Sequence, residues 1–212
     1  MIITIGRQLG SGGRIIGKKL SEAMNIAYYD KELIEITAKE SGLNRTLFEE
    51  ADEQARTGFS AGILGMRIPF LSEGGIAYSG ISNEMLFQIQ SDVIRNLAGK
   101  QSCVFIGRCA DYILRDRKDC FSVFICANDE DRVRRIISYG GDRGIKCISV
   151  EKARDLMERG DKRRAAFYNY YSNKTWGEAA SYHVCINSSV FGIDGTVSLL
   201  KEMAEKTSVY SV

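Results

Sequence analysis

Met1–Ile5 is a short apolar, β-branched run that breaks into glycine, and it predicts a buried strand. Gly10-Ser11-Gly12-Gly13 can continue neither a helix nor a strand and predicts a tight loop. Apolar residues then fall at 15, 16, 20, 23 and 24, with Lys18, Lys19 and Glu22 between them, which is helical spacing. The chain therefore opens strand, glycine loop, helix. Ile26–Tyr29, ending at Asp30, predicts a second strand, and Lys31–Ser41 a second helix. Thr46–Arg56 reads as an acidic helix. Gly58–Gly80, with Pro69 near its centre, has no clean period and reads as a mobile lobe or a loop-rich insertion.

Beyond it the periodicity is again plain. Asn83–Leu97 predicts a helix, Cys103–Ile106 a strand running into Gly107-Arg108, and Ser122–Ala127 a near-continuous apolar strand of the kind covered on both faces. Asp129–Ser138 predicts a basic helix with Asn128 as N-cap, followed by a turn at Gly140–Gly144. Ser149 caps a long helix to Tyr171. Tyr182–Asn187 is the last predicted strand and Ile193–Lys206 the closing helix. Strand–helix alternation argues for a parallel, doubly wound α/β sheet with right-handed crossovers. Ligands in such sheets bind beyond the carboxyl ends of the strands. Gly6–Gly13, Asp30, Gly107-Arg108 and Asn187 each follow a strand directly, so they are expected on one edge.

Composition narrows the functional classes. The 212 residues suit one well-buried domain with a small inserted lobe. A net charge of +2 gives no reason to expect nucleic acid or a membrane as partner. The exception is local, a basic excess between Asp131 and Arg164. No apolar window is long enough for a transmembrane helix, and no leader-like stretch precedes the first strand, so a cytoplasmic location is expected. The six cysteines show no CxxC pair and read as reduced, buried thiols. With His183 the sole histidine, no metal ligands are assigned.

Four features carry candidate chemistry. A glycine loop between strand and helix presents main-chain N–H groups and the positive helix end to an anion. Gly10-x-Gly12 also fits a dinucleotide fingerprint with Asp30 as its acidic residue, but Ile15 stands where the third glycine belongs. Arg108, just past a buried strand, can grip a phosphate, or pair with Asp111. The stretch Asp161-Lys162-Arg163-Arg164, with Arg132, Arg134 and Arg135, either forms a salt-bridged helix surface or stabilises a transferring phosphoryl group. The aromatic cluster Phe167, Tyr168, Tyr170, Tyr171 and Trp176 packs a core or lid, or stacks a base.

Taken together, ITIGRQLGSGGRIIGKKLSEAM, YYDKELI, VFIGRCADYIL, FICANDEDRVRRI, DKRRAAFYNYY and INSSVFGIDG make the chain resemble the cytidylate kinase-like family of P-loop nucleoside monophosphate kinases. The resemblance implies a single domain over 1–212 with a P-loop NTPase-type three-layer α/β fold. It has a central parallel sheet, helices on both faces and a small helical lid or insertion. Residues 42–82 would form the acceptor-binding or insertion region and 131–176 the lid region. Laid on the family's GxxxxGK loop, Gly10 and Gly12 fall on glycines, Arg7 on the first glycine, Gly13 on the Lys slot and Ile15 on the Ser/Thr slot. The loop lysine and the Mg²⁺-binding hydroxyl are thus missing. Arg14 or Arg7 could supply the charge and Ser11 a hydroxyl.

The resemblance further implies ATP and Mg²⁺ as cofactors and a small nucleotide as acceptor. Arg7, Gly10, Ser11, Gly12, Gly13 and Arg14 would hold the donor phosphates. Asp30 and Arg108 would bind the acceptor, with Cys109 standing where the family's GRD motif has Asp. Asp161, Arg163 and Arg164 resemble the arginine-bearing lid, and with Arg14 they form the expected catalytic set. Two functions fit: transfer of the γ-phosphoryl of ATP to a nucleoside monophosphate or other small acceptor, or nucleotide-binding regulation without transfer. A homodimer is compatible with either.

Overall fold

The computed structural model describes residues 1–30, 83–142 and 149–209. The predicted helices at 31–41 and 46–56 and the region 42–82, including Gly58–Gly80, lie outside the described residues. Two compact units are present, Met1–Asp30 with Lys100–Val212, and Lys31–Gly99.

The first unit is built on five parallel strands: β1 (Ile2–Arg7), β2 (Ala27–Tyr29), β3 (Cys103–Ile106), β4 (Cys120–Cys126) and β5 (Val184–Asn187), in the order β2-β3-β1-β4-β5. β1 is central, pairing Ile2–Ile5 with Cys103–Ile106 on one side and Ile2–Arg7 with Cys120–Ile125 on the other. Its side chains alternate. Ile3 and Ile5 join Val104, Ile106, Val123 and Ile125 on one face, under Ile16 and Leu20 of α1 (Gly13–Met24). Val197 and Leu200 of the last helix close the same cluster. The opposite face carries Phe124, against which Trp176 and Tyr182 pack with ring centroids 5.1 and 5.0 Å away. Burial on both faces explains why these strands read as unbroken apolar runs. The architecture is the three-layer α/β fold expected.

The second unit contributes α2 (Asn83–Lys100) to the description. Ser91 Oγ back-bonds to Phe87 O at 2.7 Å, and Asp92 takes Arg95 in an i,i+3 ion pair at 3.2 Å. The remaining helices are α3 (Ala110–Ile113), α4 (Asp129–Asp142), α5 (Val150–Ser172) and α6 (Ser188–Val209), with a 3-10 turn at Ala179–Ser181. None of the described helices is long and apolar enough to cross a membrane.

Several boundaries differ from the sequence reading. β1 continues past Ile5 because Gly6 and Arg7 keep pairing with Phe124 and Ile125, so Arg7 ends a strand rather than opening a loop. α4 runs through Gly140 and Gly141 to Asp142 where a turn was expected. Mid-helix glycine costs about 1 kcal/mol but does not forbid the helix. Asn128 stands at the start of α4, its carbonyl accepting from Arg132 N at 3.0 Å. Its side chain does not cap, because Oδ1 accepts from Asn187 Nδ2 at 2.9 Å. β5 begins at Val184, since Tyr182 caps the 3-10 turn. α6 begins at Ser188, five residues early, and breaks at Gly192 (φ 66°, ψ 179°). The expected cap at Ser149 is present, its hydroxyl accepting from Lys152 N at 3.2 Å.

Candidate functional site

The loop after β1 is fixed from outside by four segments, the end of β4, α4, α5 and α6. Gln8 donates its amide to Ile125 O at 3.0 Å, and its side-chain oxygen accepts from Ala127 N at 3.2 Å. Leu9 N donates to Asp161 Oδ1 at 2.7 Å, and Leu9 O accepts from Arg132 Nε at 2.8 Å. Arg135 Nη1 reaches Gly10 O at 3.2 Å, and Ser188 Oγ donates to Ser11 O at 2.7 Å. The loop's outward polar groups are therefore consumed. The Gly10 and Gly12 amides make no hydrogen bond with the described residues. Gly10 (φ 78°) and Gly12 (φ 80°) adopt left-handed backbone immediately before the first turn of α1, the arrangement of an anion nest at a helix N-terminus.

Arg7 lies against this nest, and Arg164, Arg108 and Arg14 lie near Arg7. Arg7, at the end of β1, is pulled down to about 9 by burial, then by the charges of Arg164 and Arg108, with Arg14 adding to them and Tyr28 opposing. That ordering places the guanidinium among three others. It also lies against Gly107, where a Cβ would overlap Arg7 Nη1. Arg14 leans away, giving Nη2 and Nε to Asp30 Oδ2 at 2.7 and 3.2 Å. Asp30 is buried while Arg14 is half-exposed. Arg164 pairs with Asp161 at 3.2 Å.

Arg108 is delivered by a strained turn. Gly107, Arg108 and Cys109 take left-handed backbone in succession, with φ of 71°, 62° and 54°. For each of the two non-glycine residues that costs about 1–2 kcal/mol. Such strain persists where the surroundings dictate it and accumulates at functional sites. The turn feeds α3, whose Asp111 accepts from Tyr168 Oη of α5 at 2.7 Å. Burial raises Asp111 above the ordinary carboxylate range, opposed by the Tyr168 hydrogen bond.

The structure thus brings Arg7, Arg14, Arg108, Arg164 and Asp30 around Gly10, Gly12 and Gly13. Three expected residues stand elsewhere. Asp161 lies behind the loop, engaged by Leu9, Arg132 and Arg164. Ser11 is fully buried with its hydroxyl 3.4 Å from Gly13 N, so it closes the loop. Arg163 is half-buried, about 100° round α5 from Arg164. Of the aromatic cluster, Tyr168 is buried and stacks on Tyr182 at 5.7 Å, and Trp176 packs on Phe124. These two serve packing. Tyr170 remains exposed.

Gln8 and Ser188, both essential to the loop's anchorage, have no sequence signature. Arg132 and Arg135 had one, their i,i+3 spacing, but their work is to hold loop carbonyls. Burial pushes Cys103 and Cys120 up to about 12, as expected of inert thiols. Among the described residues no group of three His, Cys, Asp or Glu side chains could hold a metal ion.

A family model described as the cytidylate kinase-like family matches residues 2–190. Nothing among the curated proteins matches the chain. Among solved structures, an uncharacterized protein from Eubacterium ventriosum ATCC 27560 is similar over 97% of this chain and 98% of its own, with 26% identity and a TM-score of 0.68. A shikimate kinase from Bacteroides thetaiotaomicron shares the fold over 97% of this chain and 98% of its own, at 14% identity and a TM-score of 0.51.

Proposed function

The chain belongs to the cytidylate kinase-like family, and from that footing we propose that it moves the γ-phosphoryl group of ATP to a small acceptor, with nucleoside monophosphates the first class to test. One observation carries the reading: Arg7 lies against a glycine nest at a helix N-terminus, where burial and the nearby charges of Arg164, Arg108 and Arg14 depress it. A concentration of cations that lowers one of its own members is a poor structural device and a good receptor for several phosphate charges. Phosphoryl transfer is catalysed mainly by positioning and electrostatics. The nest amides and the arginines on its donor side hold the ATP phosphates. Arg164 neutralises the transferring group. Arg108, beside the Arg14–Asp30 pair at the ends of β3 and β2, holds the acceptor's anionic group.

The residues present fit the triphosphate. They do not fit Mg²⁺ as direct ligands: Ile15 offers no oxygen, the Ser11 hydroxyl is buried against Gly13, and Asp30 is engaged by Arg14. A metal accompanying ATP would be held through phosphate and water.

A coupled assay for ADP formation with CMP, dCMP, UMP and AMP tests the reading. No ADP above background with any of them rejects it for those acceptors. Gly13 and Ile15 in the lysine and hydroxyl slots favour a second reading, nucleotide binding without transfer. It expects ATP binding in calorimetry that is indifferent to Mg²⁺ and no turnover.

A further inference from the structure

We propose that Arg7 is the cation that holds the donor's terminal phosphates in place of the missing loop lysine, and that position 13 is glycine because the Arg7 side chain fills the space a side chain there would occupy. The inference rests on the reading of the site as a phosphate-donor pocket and deepens it by assigning the cation.

The geometry distinguishes Arg7 from Arg14, Arg164, Arg132 and Arg135. Arg14 is committed to Asp30 at 2.7 Å, Arg164 to Asp161 at 3.2 Å, and Arg132 and Arg135 to the carbonyls of Leu9 and Gly10. Arg7 forms no ion pair with any described residue. It shares the sheet face of Ile3 and Ile5, and so projects beneath the first turn of α1 rather than out of it.

A Cβ on Gly13 would stand 2.6 Å from Arg7 Cβ and 3.1 Å from Arg7 Cγ. The backbone of Gly13 is helical, so its lack of a side chain answers to space and not to torsion. Gly107 meets the guanidinium at the far end in the same way. The Arg7 stem thus passes Gly13 and its guanidinium ends against Gly107. Lysine at 13 and arginine at 7 are mutually exclusive. The cation has moved from the helix to the strand, and both substitutions are one change. The depressed Arg7 agrees with a charge awaiting an anionic partner.

Inorganic pyrophosphate binding to the full chain, followed by calorimetry alongside thermal melting without ligand, tests this. Arg7→Met keeps the stem and removes the charge. It should weaken pyrophosphate about tenfold or more and raise Tm in the absence of anion, because a buried charge among like charges is gone. A merely structural arginine would lower Tm and leave affinity alone, and that result overturns the assignment. Gly13→Ala should weaken pyrophosphate in the wild-type background and have little effect in Arg7→Gly, where no Cβ opposes it. Arg7→Gly with Gly13→Lys should bind more tightly than Arg7→Gly alone. Wild-type affinity in Arg7→Met combined with loss in Arg14→Ala would transfer the role to Arg14 and leave the kinase reading standing. Failure of the unmodified protein to bind either pyrophosphate or ATP would remove both.

Discussion

The amide of Leu9 and the carboxylate of Asp161 meet at 2.7 Å across 152 residues of chain, joining the phosphate loop to the middle of α5. The same carboxylate takes Arg132, which in turn holds Leu9 O, so loop, α4 and α5 share one closed polar ring. Arg132 is 5% exposed and Asp161 16%.

Removing the acid from that ring leaves the Leu9 amide and Arg132 Nη2 without their acceptor, while Arg132 keeps Asp129 at 3.3 Å and Leu9 O at 2.8 Å. Asp161→Ala should therefore lower unfolding stability by about 1–3 kcal/mol, read from urea denaturation. Asp161→Asn retains an acceptor for Leu9 N and loses only the charge, so it should fall between. A loss under 1 kcal/mol in Asp161→Ala would show that the ring is solvated rather than buried.

Asp111 gives the fold a pH dependence of definite sign. Burial raises its pKa above the ordinary 3.8, so between that value and the raised one the folded chain holds a proton that the unfolded chain has released. Stability contributed by this group is therefore present at low pH and lost as pH rises through the window. Asp111→Asn is always neutral, and its carbonyl can still accept from Tyr168. Its Tm relative to wild type should be near zero difference at pH 4 and grow more favourable toward pH 7. A difference that shrinks with rising pH would mean that the carboxylate is stabilised, not penalised, by its site.

At Arg108 the cation and the backbone strain can be separated. Arg108→Ala removes the guanidinium and keeps a Cβ at φ 62°; Arg108→Gly removes both. The two should weaken acceptor binding alike, by about 1.5–3 kcal/mol for a lost charge-assisted hydrogen bond. The glycine variant should be more stable than the alanine variant by about 1 kcal/mol. Titration of the acceptor that supports turnover, with urea melts of both variants, checks the pair. Equal stabilities would show that the turn carries no strain at this residue.

What the sequence made legible here is the frame. Apolar runs located all five strands to within a few residues, because strands buried on both faces cannot hide their composition. Placement at strand ends gathers the glycine loop, Asp30 and Arg108 on one edge from the sequence alone. The roles inside the edge were less visible, because they depend on which partner each arginine finds. Arg14, Arg7 and Arg164 are alike as letters. One is drawn off by a buried carboxylate, one lies under a helix, and one shares an acid with the loop's amide. Nor does any local pattern tell that Ser188 would donate to Ser11 O from 177 residues away. The break at Gly192 was hidden for the opposite reason: periodicity resumed only after it, so the helix appeared to begin there.

Two glycines of the first unit's loop and of α2 should respond oppositely to a methyl group. Gly12 takes φ 80°, and a Cβ there would overlap Ile193 Cδ1 of α6. Gly12→Ala forces the Ile193 side chain to turn aside, and the left-handed backbone adds a penalty of about 1–2 kcal/mol. Gly99 lies within α2, and among the described residues no heavy atom comes within 4 Å of where its Cβ would stand. Gly99→Ala supplies a better helix former and narrows the unfolded ensemble, so it should stabilise by about 0.4–1 kcal/mol. Urea denaturation of the two single variants reads both signs. Pyrophosphate binding should be weakened by Gly12→Ala and untouched by Gly99→Ala, since only the first alters the amides that face the anion. A Gly12→Ala protein with wild-type stability and affinity would mean that the loop relaxes without cost, and the rigidity attributed to its anchors would be lost with it.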